Sequence, residues 1–479
     1  MKNALSLACM LLSGLLLSTS SFAQSNTLFN PDYNGDGFVG VDDILGALSF
    51  YDSTWETPVF GCTYEDYLEF NPLATVDDGS CETPSDCEED ILGICGGNCN
   101  LDLDLDGVCD GIFKPFPYSN LNEELTSTVL AAGLQFPYGI AVLDSSTIVL
   151  SERDGGLFKF QNGATTPIAG GPETTMLLAP NQGPIVFGGY MDICEHPNYA
   201  ENGWIYLAFL DHEWFPSIGR FRLDENVILE YEGVFRARQP NYYNSGMRMA
   251  WENDSVMFFN IGASAFSTAE APVLIGQDLE QDGGKIHRIY DDGQIPVDNP
   301  FQQDENVLSI WSYGHRDVQG LFYENESNVL YGVEHGPKGG DELNVIQKGG
   351  NYGWPLFTYG IHYDGSPISL ISEDSAATTT MLPLHYWTVP TEDGGQAIAP
   401  STVMKINDSQ NPNWHGKFFV SSLAFRRLVV FNSETGETHG THVDGRVRTI
   451  RPFSQSKALA VIEQTSVGNF DGKLILIDY

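Results

Sequence analysis

Residues 309–355 read SIWSYGHRDVQGLFYENESNVLYGVEHGPKGGDELNVIQKGGNYGWP, and this stretch decides how the whole chain is interpreted. Two strand-like runs, VLYGVEHG and ELNVIQKG, flank a tight segment at residues 336–342. Glycine allows a sharp turn or the close approach of a ligand to the backbone, and proline fixes φ and removes a donor. His315, Arg316 and Asp317 precede this segment by about one pair of strands. We expect them to converge with it on one mouth.

The same pattern of short strand-like runs separated by turn residues extends over residues 121–479. Short β-rich runs such as YGIAVLDSSTIVLSE, GWIYLAFLD, SVMFFNIG and KLILIDY recur between clusters of Gly, Asn, Asp and Pro, and helical periodicity is nearly absent. Many short strands with regular turn signals favour an all-β sandwich or propeller. The region is too long for one sandwich, and six units would each have about 60 residues. Spacing alone leaves five to seven blades open.

Three ordered motifs in residues 309–355 resemble a known family. They are GHRDVQGLFY, an E-x-GP-x-x-x-DE-x-N segment, and GNYGWP. They are similar to those of the soluble pyrroloquinoline-quinone (PQQ) sugar dehydrogenases, also called the glucose/sorbosone dehydrogenase family. The similarity continues in GYMDICEHPNYAENGWIYLAFL, in GGKIHRIYDDGQIPVDNPF and in a C-terminal arginine segment. The resemblance implies a six-bladed β-propeller that binds PQQ and calcium and oxidises a sugar.

The resemblance also implies roles for individual residues. Gly336 and Pro337 match the pair whose carbonyl oxygens hold calcium, and Arg316 matches the arginine beside the reactive quinone oxygen. Arg446 and Arg448 match the pair that holds the cofactor's carboxylates, and residues at i and i+2 of a strand point the same way. The alternatives are a turn kept for the fold and two surface arginines that neutralise acidic neighbours. His315 is expected to be structural.

Four positions depart from the family pattern. Asn244 stands where the family has its base histidine, and neutral asparagine does not accept a proton. Ala263 replaces the aspartate that orients that histidine, and Phe187 replaces a glutamine that contacts the cofactor. Asp317 replaces an asparagine and adds negative charge where a tricarboxylate should bind. General-base catalysis contributes about 10²–10⁴-fold, so loss of the base alone would leave slow turnover.

Two functions therefore stay open. The first is an exported PQQ-dependent aldose dehydrogenase with an altered site, in which Arg316 and Asn244 occupy the catalytic positions and Asp317, Arg446 and Arg448 the cofactor positions. The second is a catalytically silent propeller that binds a glycan or a protein through the same mouth. The resemblance includes non-enzymatic relatives such as the hedgehog-interacting proteins, so both are consistent with the fold.

Charge narrows the range of partners. The chain has 64 acidic and 23 basic residues and a formal net charge of −41. Such a surface repels nucleic acid and anionic membranes and favours solubility. We expect a sugar or glycan ligand rather than a phosphate-rich partner.

Residues 1–23 have the pattern of a secretory signal: a lysine, an apolar run and a small-residue ending, Ser21-Phe22-Ala23. No later apolar segment is long enough to span a bilayer. The sequence therefore predicts a bacterial protein that is secreted, periplasmic or on the cell surface.

Residues 25–57 contain NPDYNGDGFVGVDDILGALSFYD, which matches a calcium loop followed by a helix. The segment resembles half of a dockerin-type module. The alternative is an acidic turn with a short helix. The predicted ligands are Asp32, Asn34, Asp36, the carbonyl of Phe38, and Asp43.

Residues 58–112 hold six cysteines, which in an oxidising compartment indicate a disulfide scaffold. Cys62–Cys81 is the favoured pair, and zinc binding is the competing interpretation. The end of this region alternates carboxylates as thrombospondin type 3-like repeats do, which favours calcium over a solvated acidic turn. Its predicted ligands are Asp102, Asp104 and Asp106. We expect these modules to act as a spacer or surface attachment, and Cys194 to be a buried small hydrophobe.

Overall fold

The structure, a computed structural model, describes most of the chain from residue 125 onward. The described ranges are 125–178, 186–242, 246–263, 274–302, 308–362, 365–388, 397–407, 409, 412–443, 445–463 and 471–479, together with residues 60–61, 73, 76–77 and 119–120. The predicted signal segment, the predicted ligands of both calcium sites, all six cysteines of the predicted scaffold and Asn244 lie outside the described residues. They stay predictions.

The chain divides into two compact units, Met1–Asn98 and Cys99–Tyr479. In the first unit the structure describes one short parallel pair, β1 (Phe60–Gly61) with β2 (Val76–Asp77). The second unit contains the β-rich region that the sequence predicts.

Six sheets of at least four strands form the second unit, as expected for a six-bladed propeller. Two strands precede the first complete blade: β3 (Ser119–Asn120) and β4 (Thr126–Leu134). Blade 1 consists of β5 (Pro137–Val142), β6 (Thr147–Glu152), β7 (Leu157–Gln161) and β8 (Ala164–Pro167). A hairpin follows, made of β9 (Met176–Leu178) and β10 (Val186–Gly188).

The next two blades follow the same order. Blade 2 consists of β11 (Tyr190–Glu195), β12 (Ile205–Leu210), β13 (Pro216–Asp224) and β14 (Val227–Arg236), with the short helix α1 (Tyr199–Asn202) after β11. Blade 3 consists of β15 (Met249–Trp251), β16 (Val256–Ile261), β17 (Lys285–Tyr290) and β18 (Ile310–Tyr313), with a 3₁₀ turn at Leu274–Gly276.

The last three blades complete the ring. Blade 4 consists of β19 (Val318–Glu324), β20 (Val329–Glu334), β21 (Asp341–Ile346) and β22 (His385–Trp387), with α2 (Glu373–Thr379) before β22. Blade 5 consists of β23 (Pro400–Lys405), a 3₁₀ turn at Pro412–Trp414, β24 (Phe418–Ser422), β25 (Arg427–Phe431) and β26 (Thr438–His442). Blade 6 consists of β27 (Val447–Ser454), β28 (Lys457–Ile462) and β29 (Gly472–Asp478), completed by β4.

Both ends of the unit take part in closing the ring. Strand β4 pairs antiparallel with β29, so the start and the end of the propeller share one sheet. Strand β3 adds in parallel to the outer edge of blade 5. Closure of this kind removes free sheet edges and joins the first and last blades.

The second strands explain the apolar runs seen in the sequence. All six residues of β6, β12 and β16 are buried, because each strand is covered by a neighbouring blade on both faces. Strands buried on both sides read as continuous rather than alternating apolar runs. The core lies in the layers between blades, as in the cluster that joins Tyr206 and Leu210 of blade 2 to Met257 and Phe259 of blade 3.

The order of strands places one set of connections at one end of the ring. The first strands of the blades, from β5 to β27, contact one another around the axis. Because neighbouring strands are antiparallel, the connection from the second to the third strand emerges at the same end as the connection between blades. We call this end the site face. Its loops include residues 153–156, 211–215, 314–317 and 335–340.

Candidate functional site

The turn that joins β20 to β21, residues 335–340, lies on the site face and is held from below by Asp341. The Asp341 Oδ1 atom accepts a hydrogen bond from the Gly336 amide at 2.9 Å, and Oδ2 accepts one from the Ala399 amide at 2.7 Å. Burial raises the pKa of Asp341, and these amides oppose the rise. A Cβ on Gly336 would lie 2.1 Å from the Gly339 oxygen, so the turn requires glycine here.

The same turn leaves oxygen ligands available. Among the described residues, no hydrogen-bond donor contacts the carbonyl oxygen of Gly336 or of Pro337. Backbone carbonyl oxygens are ligands that calcium accepts. In the same part of the chain, no three histidine, cysteine or acidic side chains converge as a metal centre. The turn therefore offers two backbone oxygens of the kind that calcium accepts.

Arg316 is fixed beside this turn. Its amide donates to Glu334 Oε2 at 2.8 Å, and its Nη1 donates to the His335 carbonyl at 2.9 Å. Its guanidinium carbon lies 5.3 Å from the centre of the Trp354 ring. The Arg316 carbonyl accepts the Ala263 amide at 2.7 Å. The position of the Arg316 guanidinium and its positive charge are thus fixed before any ligand binds.

His315 has the structural role that the sequence indicates. It is 1% exposed, and its ring lies 4.4 Å from the Tyr352 ring. The Nε2 atom is 2.9 Å from Ser312 Oγ, and Nδ1 is 3.3 Å from Glu334 Oε1. A ring with both nitrogens engaged inside the protein holds the loop in place rather than reacting with a ligand.

Two carboxyl groups lie under the turn, that of the buried Glu334 and that of the half-buried Glu342, and sequence reasoning did not assign them a role. Asn344 Nδ2 donates to Glu334 Oε1 at 2.8 Å and to Glu342 Oε2 at 3.1 Å. Burial and the nearby Glu334 raise the pKa of Glu342 well above its ordinary value. Both line a small concavity between the turn and residues 352–358. The sequence did contain a signal for Glu334 and Glu342, because both are acidic positions of the E-x-GP-x-x-x-DE-x-N motif.

Arg446 and Arg448 act on one carboxylate, as their i, i+2 spacing suggests. Arg446 Nε donates to Glu463 Oε2 at 3.1 Å, and Arg448 Nε donates to Glu463 Oε1 at 2.6 Å. Burial would raise the pKa of Glu463, but Arg448 and Arg446 lower it below its ordinary value. The pair is a carboxylate clamp that already holds a carboxylate of the chain.

Gln319 connects the arginine pair to the turn. Its Oε1 accepts from Arg448 Nη1 at 3.2 Å, and its Nε2 donates to Asp317 Oδ1 at 2.9 Å. Asp317 Oδ2 lies 3.9 Å from His335 Nδ1. These contacts bring Arg316, Asp317, the 335–340 turn and the arginine pair around one mouth on the site face. The sequence predicted this convergence but not Gln319.

Tyr138 and Arg153 are buried side chains packed near Arg448, and sequence reasoning missed them. The Arg153 guanidinium carbon is 4.5 Å from the Tyr138 ring centre, and that of Arg448 is 5.3 Å from the same centre. Burial lowers the pKa of Arg153 to about 10. Its Nη1 donates to the carbonyl of Gly188, directly after Phe187 in the β9–β10 hairpin. In the sequence these are an isolated tyrosine and arginine, so only the fold reveals them.

Deeper in the channel, a second arginine–carboxylate cluster joins the blades. Arg248 Nε donates to the Gln319 carbonyl at 2.6 Å, and its Nη1 donates to Thr449 Oγ1 at 2.7 Å. Asp192 accepts from the Met249 amide at 2.9 Å and from Arg451 Nη2 at 3.0 Å. These bonds cross blades 2, 3, 4 and 6, so the cluster fixes the ring beneath the mouth.

Comparison with known proteins agrees with this architecture. A family described as Glucose / Sorbosone dehydrogenase matches residues 134–475. The chain belongs to the glucose/sorbosone dehydrogenase family. It is 32% identical over 339 residues to the aldose sugar dehydrogenase YliI of Escherichia coli K12, covering 67% of this chain and 84% of that protein.

Solved structures show the same family fold. The soluble aldose sugar dehydrogenase of Escherichia coli in its apo form superposes with a TM-score of 0.62 and 27% identity, over 74% of this chain and 99% of that one. The PQQ-bound aldose sugar dehydrogenase of Streptomyces coelicolor has a TM-score of 0.58 and 23% identity, over 74% and 98% of the two chains, a likeness of fold. Six-bladed all-β architecture, predicted from the sequence, is confirmed.

Two further expectations concern single features. Cys194 is a free, buried cysteine packed in a hydrophobic cluster, as the sequence predicts. Burial raises the pKa of its thiol. Among the described residues, no helix has the length and apolar character needed to cross a membrane.

Proposed function

We propose that this protein binds PQQ together with calcium at the mouth of the propeller and oxidises an aldose hydroxyl by hydride transfer. The observation that carries the proposal is the convergence of Arg316, the turn with open carbonyl oxygens and the arginine pair around one opening. Family membership supports the same conclusion. When bound, the quinone supplies a two-electron acceptor for the hydride.

The residues of the chain would divide the work as follows. The carbonyl oxygens of Gly336 and Pro337 hold the cation, and Asp341 keeps the turn in the conformation that presents them. Arg316 places a fixed positive charge where negative charge develops during the reaction. Arg446 and Arg448 bind carboxylates, since both guanidinium groups already point at one.

Proton removal is the step where this chain departs from its family. Asn244 occupies the position of the family's base histidine, and Ala263 that of its orienting aspartate. We propose slow turnover for the wild type. The double variant Asn244→His, Ala263→Asp is expected to raise the rate of sugar oxidation by about 10²-fold or more. An unchanged rate in a variant that still binds quinone would contradict the assignment of the base position.

A silent sugar-binding propeller is the second candidate, and one observation favours it. Glu463 takes up donors of both arginines of the pair, and Asp317 adds a further negative charge at the mouth. Both reduce the attraction for a ligand with three carboxylates. In this alternative the mouth binds a glycan without oxidising it.

The test separates the two functions by cofactor binding and by turnover. Purified protein is incubated with calcium chloride and PQQ, and the quinone absorbance is followed before aldoses and an artificial electron acceptor are added. The proposal predicts a shifted quinone spectrum and slow sugar-dependent reduction of the acceptor. A shift without reduction would favour a relic that still binds quinone, and no shift would favour the silent propeller.

A matched pair of variants controls this test. Arg448→Ala removes a guanidinium from the mouth and is expected to weaken quinone binding at least tenfold. Arg222→Ala removes one from an exposed pair with Glu230 on blade 2 and is expected to leave quinone binding unchanged. Equal effects of the two substitutions would show that charge in general, rather than the mouth, attracts the cofactor.

Location and attachment belong to the same proposal. We infer export from the amino-terminal signal pattern, and surface attachment or spacing through the modules of residues 25–57 and 58–112. Mass spectrometry of the protein from its host should find a mature chain that begins after Ala23. A chain that retains residues 1–23 would contradict export by this route.

A further inference from the structure

The outermost strand of blade 4 carries an exposed apolar stripe. Leu382, Leu384 and Tyr386 lie on the segment that leads into and forms β22, and they are 39%, 41% and 37% exposed. One less exposed residue separates each of them from the next, so all three face outward. We call these three residues the outer stripe. Exposed apolar side chains that lie together mark an interaction surface, whereas scattered ones are ordinary.

The outer stripe belongs to an uncharged stretch of a strongly acidic chain. Residues 375–391 contain no lysine, arginine, aspartate or glutamate, whereas the whole chain has a formal net charge of −41. Glu373 and Asp374, both exposed, precede this stretch in the first turn of α2. Protein interfaces commonly have an apolar centre without charges and a polar rim. The outer stripe and the acidic residues beside it have this arrangement.

A stacked pair of rings anchors one end of the outer stripe. The Tyr386 ring centre lies 3.6 Å from that of Tyr359, with 5° between the planes. Tyr359 Oη donates to Glu373 Oε1 at 2.9 Å, so a carboxylate lies at the edge of the ring pair. Stacking fixes the orientation of the exposed Tyr386 ring before any partner arrives. Preorganisation of this kind reduces the entropy lost on binding.

The same ring pair lies directly against the β20–β21 turn. Tyr359 is followed by Gly360, and a Cβ added to Gly360 would lie 2.8 Å from Pro337 Cδ. The Gly340 amide donates to the Trp387 carbonyl at 2.8 Å, which ties the end of β22 to the same turn. Since β22 is the outermost strand of its sheet, the outer stripe begins behind the turn on the side away from the mouth.

We propose that the outer stripe docks a basic haem protein that accepts one electron at a time and so reoxidises the cofactor. The inference rests on the proposed function, since it assumes a reduced cofactor at the turn. Each sugar hydroxyl oxidised releases two electrons and two protons. Two haem proteins take one electron each in succession, and the two protons pass to solvent. Docking at the outer rim leaves the mouth open for the sugar.

Charge and size favour this partner over a second copy of the chain. A net charge of −41 attracts a basic protein at long range and repels another copy. Complexes that transfer electrons are weak and bury less than about 1,200 Å² in total, whereas a permanent homodimer buries about 2,000 Å² or more. Three apolar side chains beside an acidic helix end therefore suit a transient contact with a basic carrier.

Calorimetric titration of the full chain, without cofactor, with mitochondrial cytochrome c tests docking apart from turnover. We expect this basic one-haem protein to bind at low ionic strength and to bind more weakly as salt is added. Leu384→Glu should weaken binding about tenfold, because a carboxylate then enters the apolar contact. The matched control Leu229→Glu adds the same charge at a 65%-exposed leucine on β14 and should not weaken binding. Charge attraction alone would strengthen binding in both variants.

Tyr386→Ala gives a second readout in the protein loaded with calcium and PQQ. The rate of cytochrome reduction divided by the rate of reduction of a small artificial acceptor should fall at least fivefold. The control Tyr231→Ala removes a 43%-exposed ring on β14 and should keep the wild-type ratio.

Absence of cytochrome binding by the wild type, or equal affinities of Leu384→Glu and Leu229→Glu, would overturn the inference. Self-association of the wild type that Leu384→Glu abolishes would assign the outer stripe to a second copy and would overturn it as well. Failure of the proposed function has a different signature, because the artificial acceptor itself would then not be reduced when sugar is added.

Discussion

Two arginine–carboxylate clusters lie one above the other in the central channel, and they differ in what their donors contact. In the deep cluster, Asp192 is 1% exposed and accepts from Arg451 and from the Met249 amide. Arg248 donates hydrogen bonds to Thr449 Oγ1 and to backbone carbonyls of three other blades. Every contact is internal to the ring, so this cluster serves the fold.

The cluster at the mouth has the same chemistry with access to solvent. The side chain of Arg446 is 31% exposed and that of Glu463 is 17% exposed, and both face the opening shared with Gln319. A carboxylate from outside can therefore compete with Glu463, whereas none can reach Asp192. The two clusters share the type of ion pair and differ in burial, and this difference is what would allow the cluster at the mouth to take a ligand carboxylate, as proposed.

Removal of the deep carboxylate should have the largest effect. Asp192→Ala leaves the buried guanidinium of Arg248 and the partly exposed one of Arg451 without their counter-charge, so the free energy of unfolding is expected to fall by about 3–5 kcal/mol. Urea unfolding of the full chain, followed by tryptophan fluorescence, measures this. The control Glu230→Ala breaks an exposed pair with Arg222 and should cost less than about 1 kcal/mol. Similar losses of stability in both variants would contradict the difference between the buried cluster and an exposed ion pair.

The turn at the mouth should be the next most sensitive position. Gly336→Ala places a methyl group 2.1 Å from the Gly339 oxygen, so the turn must shift, at a cost of about 1–3 kcal/mol. Calcium-dependent quinone binding should be lost with it, because the carbonyl oxygens move. Gly233→Ala is the matched control, since nothing lies within 4 Å of its added Cβ. Retained quinone binding in Gly336→Ala would exclude the turn as the cation site.

Much of the fold could be read from the sequence because strand and turn signals are local. The runs VLYGVEHG and ELNVIQKG became β20 and β21, with the predicted turn between them. The number of blades could not be obtained from spacing, since β4 completes blade 6 across the whole length of the propeller. Pairing of distant segments leaves no local pattern, and only the resemblance pointed to six.

The site was predictable where it follows motifs and unpredictable where distant segments meet. Arg316, Gly336 and the arginine pair sit in ordered motifs, so sequence reasoning singled them out. Glu463 and Gln319 were missed because their roles arise from contacts with Arg448, 15 and 129 residues away. The predicted calcium ligands at residues 32–43 and 102–106, and the base position Asn244, lie outside the described residues and stay predictions.

Removing the carboxylate charge from the cluster at the mouth should improve ligand binding, whereas removing it from the deep cluster destabilises the fold. Glu463→Gln keeps a hydrogen-bond acceptor but removes the charge that competes for Arg446 and Arg448. Quinone affinity is expected to rise about threefold to tenfold, and the free energy of unfolding to fall by only about 1–2 kcal/mol. Spectroscopic titration with PQQ measures the first and urea unfolding the second. The control Glu230→Gln should change neither, and weaker quinone binding in Glu463→Gln would refute competition by the carboxylate.

The smallest effect we expect depends on pH and distinguishes two carboxyl groups of the mouth. Burial beside Glu334 raises the pKa of Glu342 above the ordinary value of 4.5, so its contribution to stability is complete below that pH and is lost as the pH rises through the folded value. Glu463 has a lowered pKa, so its contribution is complete above pH 4.5 and is lost as the pH falls.

Glu342→Gln should therefore be more stable than the wild type at pH 8, by about 1 kcal/mol, and the difference should vanish below pH 4.5. Glu463→Gln should show a constant deficit above pH 4.5 that shrinks as the pH falls below 4.5 through the lowered pKa of Glu463. Urea midpoints of the two variants and the wild type from the lowest pH at which the chain stays folded up to pH 8 measure both dependences. Parallel slopes would mean that the two carboxyl groups share one environment, and the separation between the region under the turn and the arginine clamp would then be wrong.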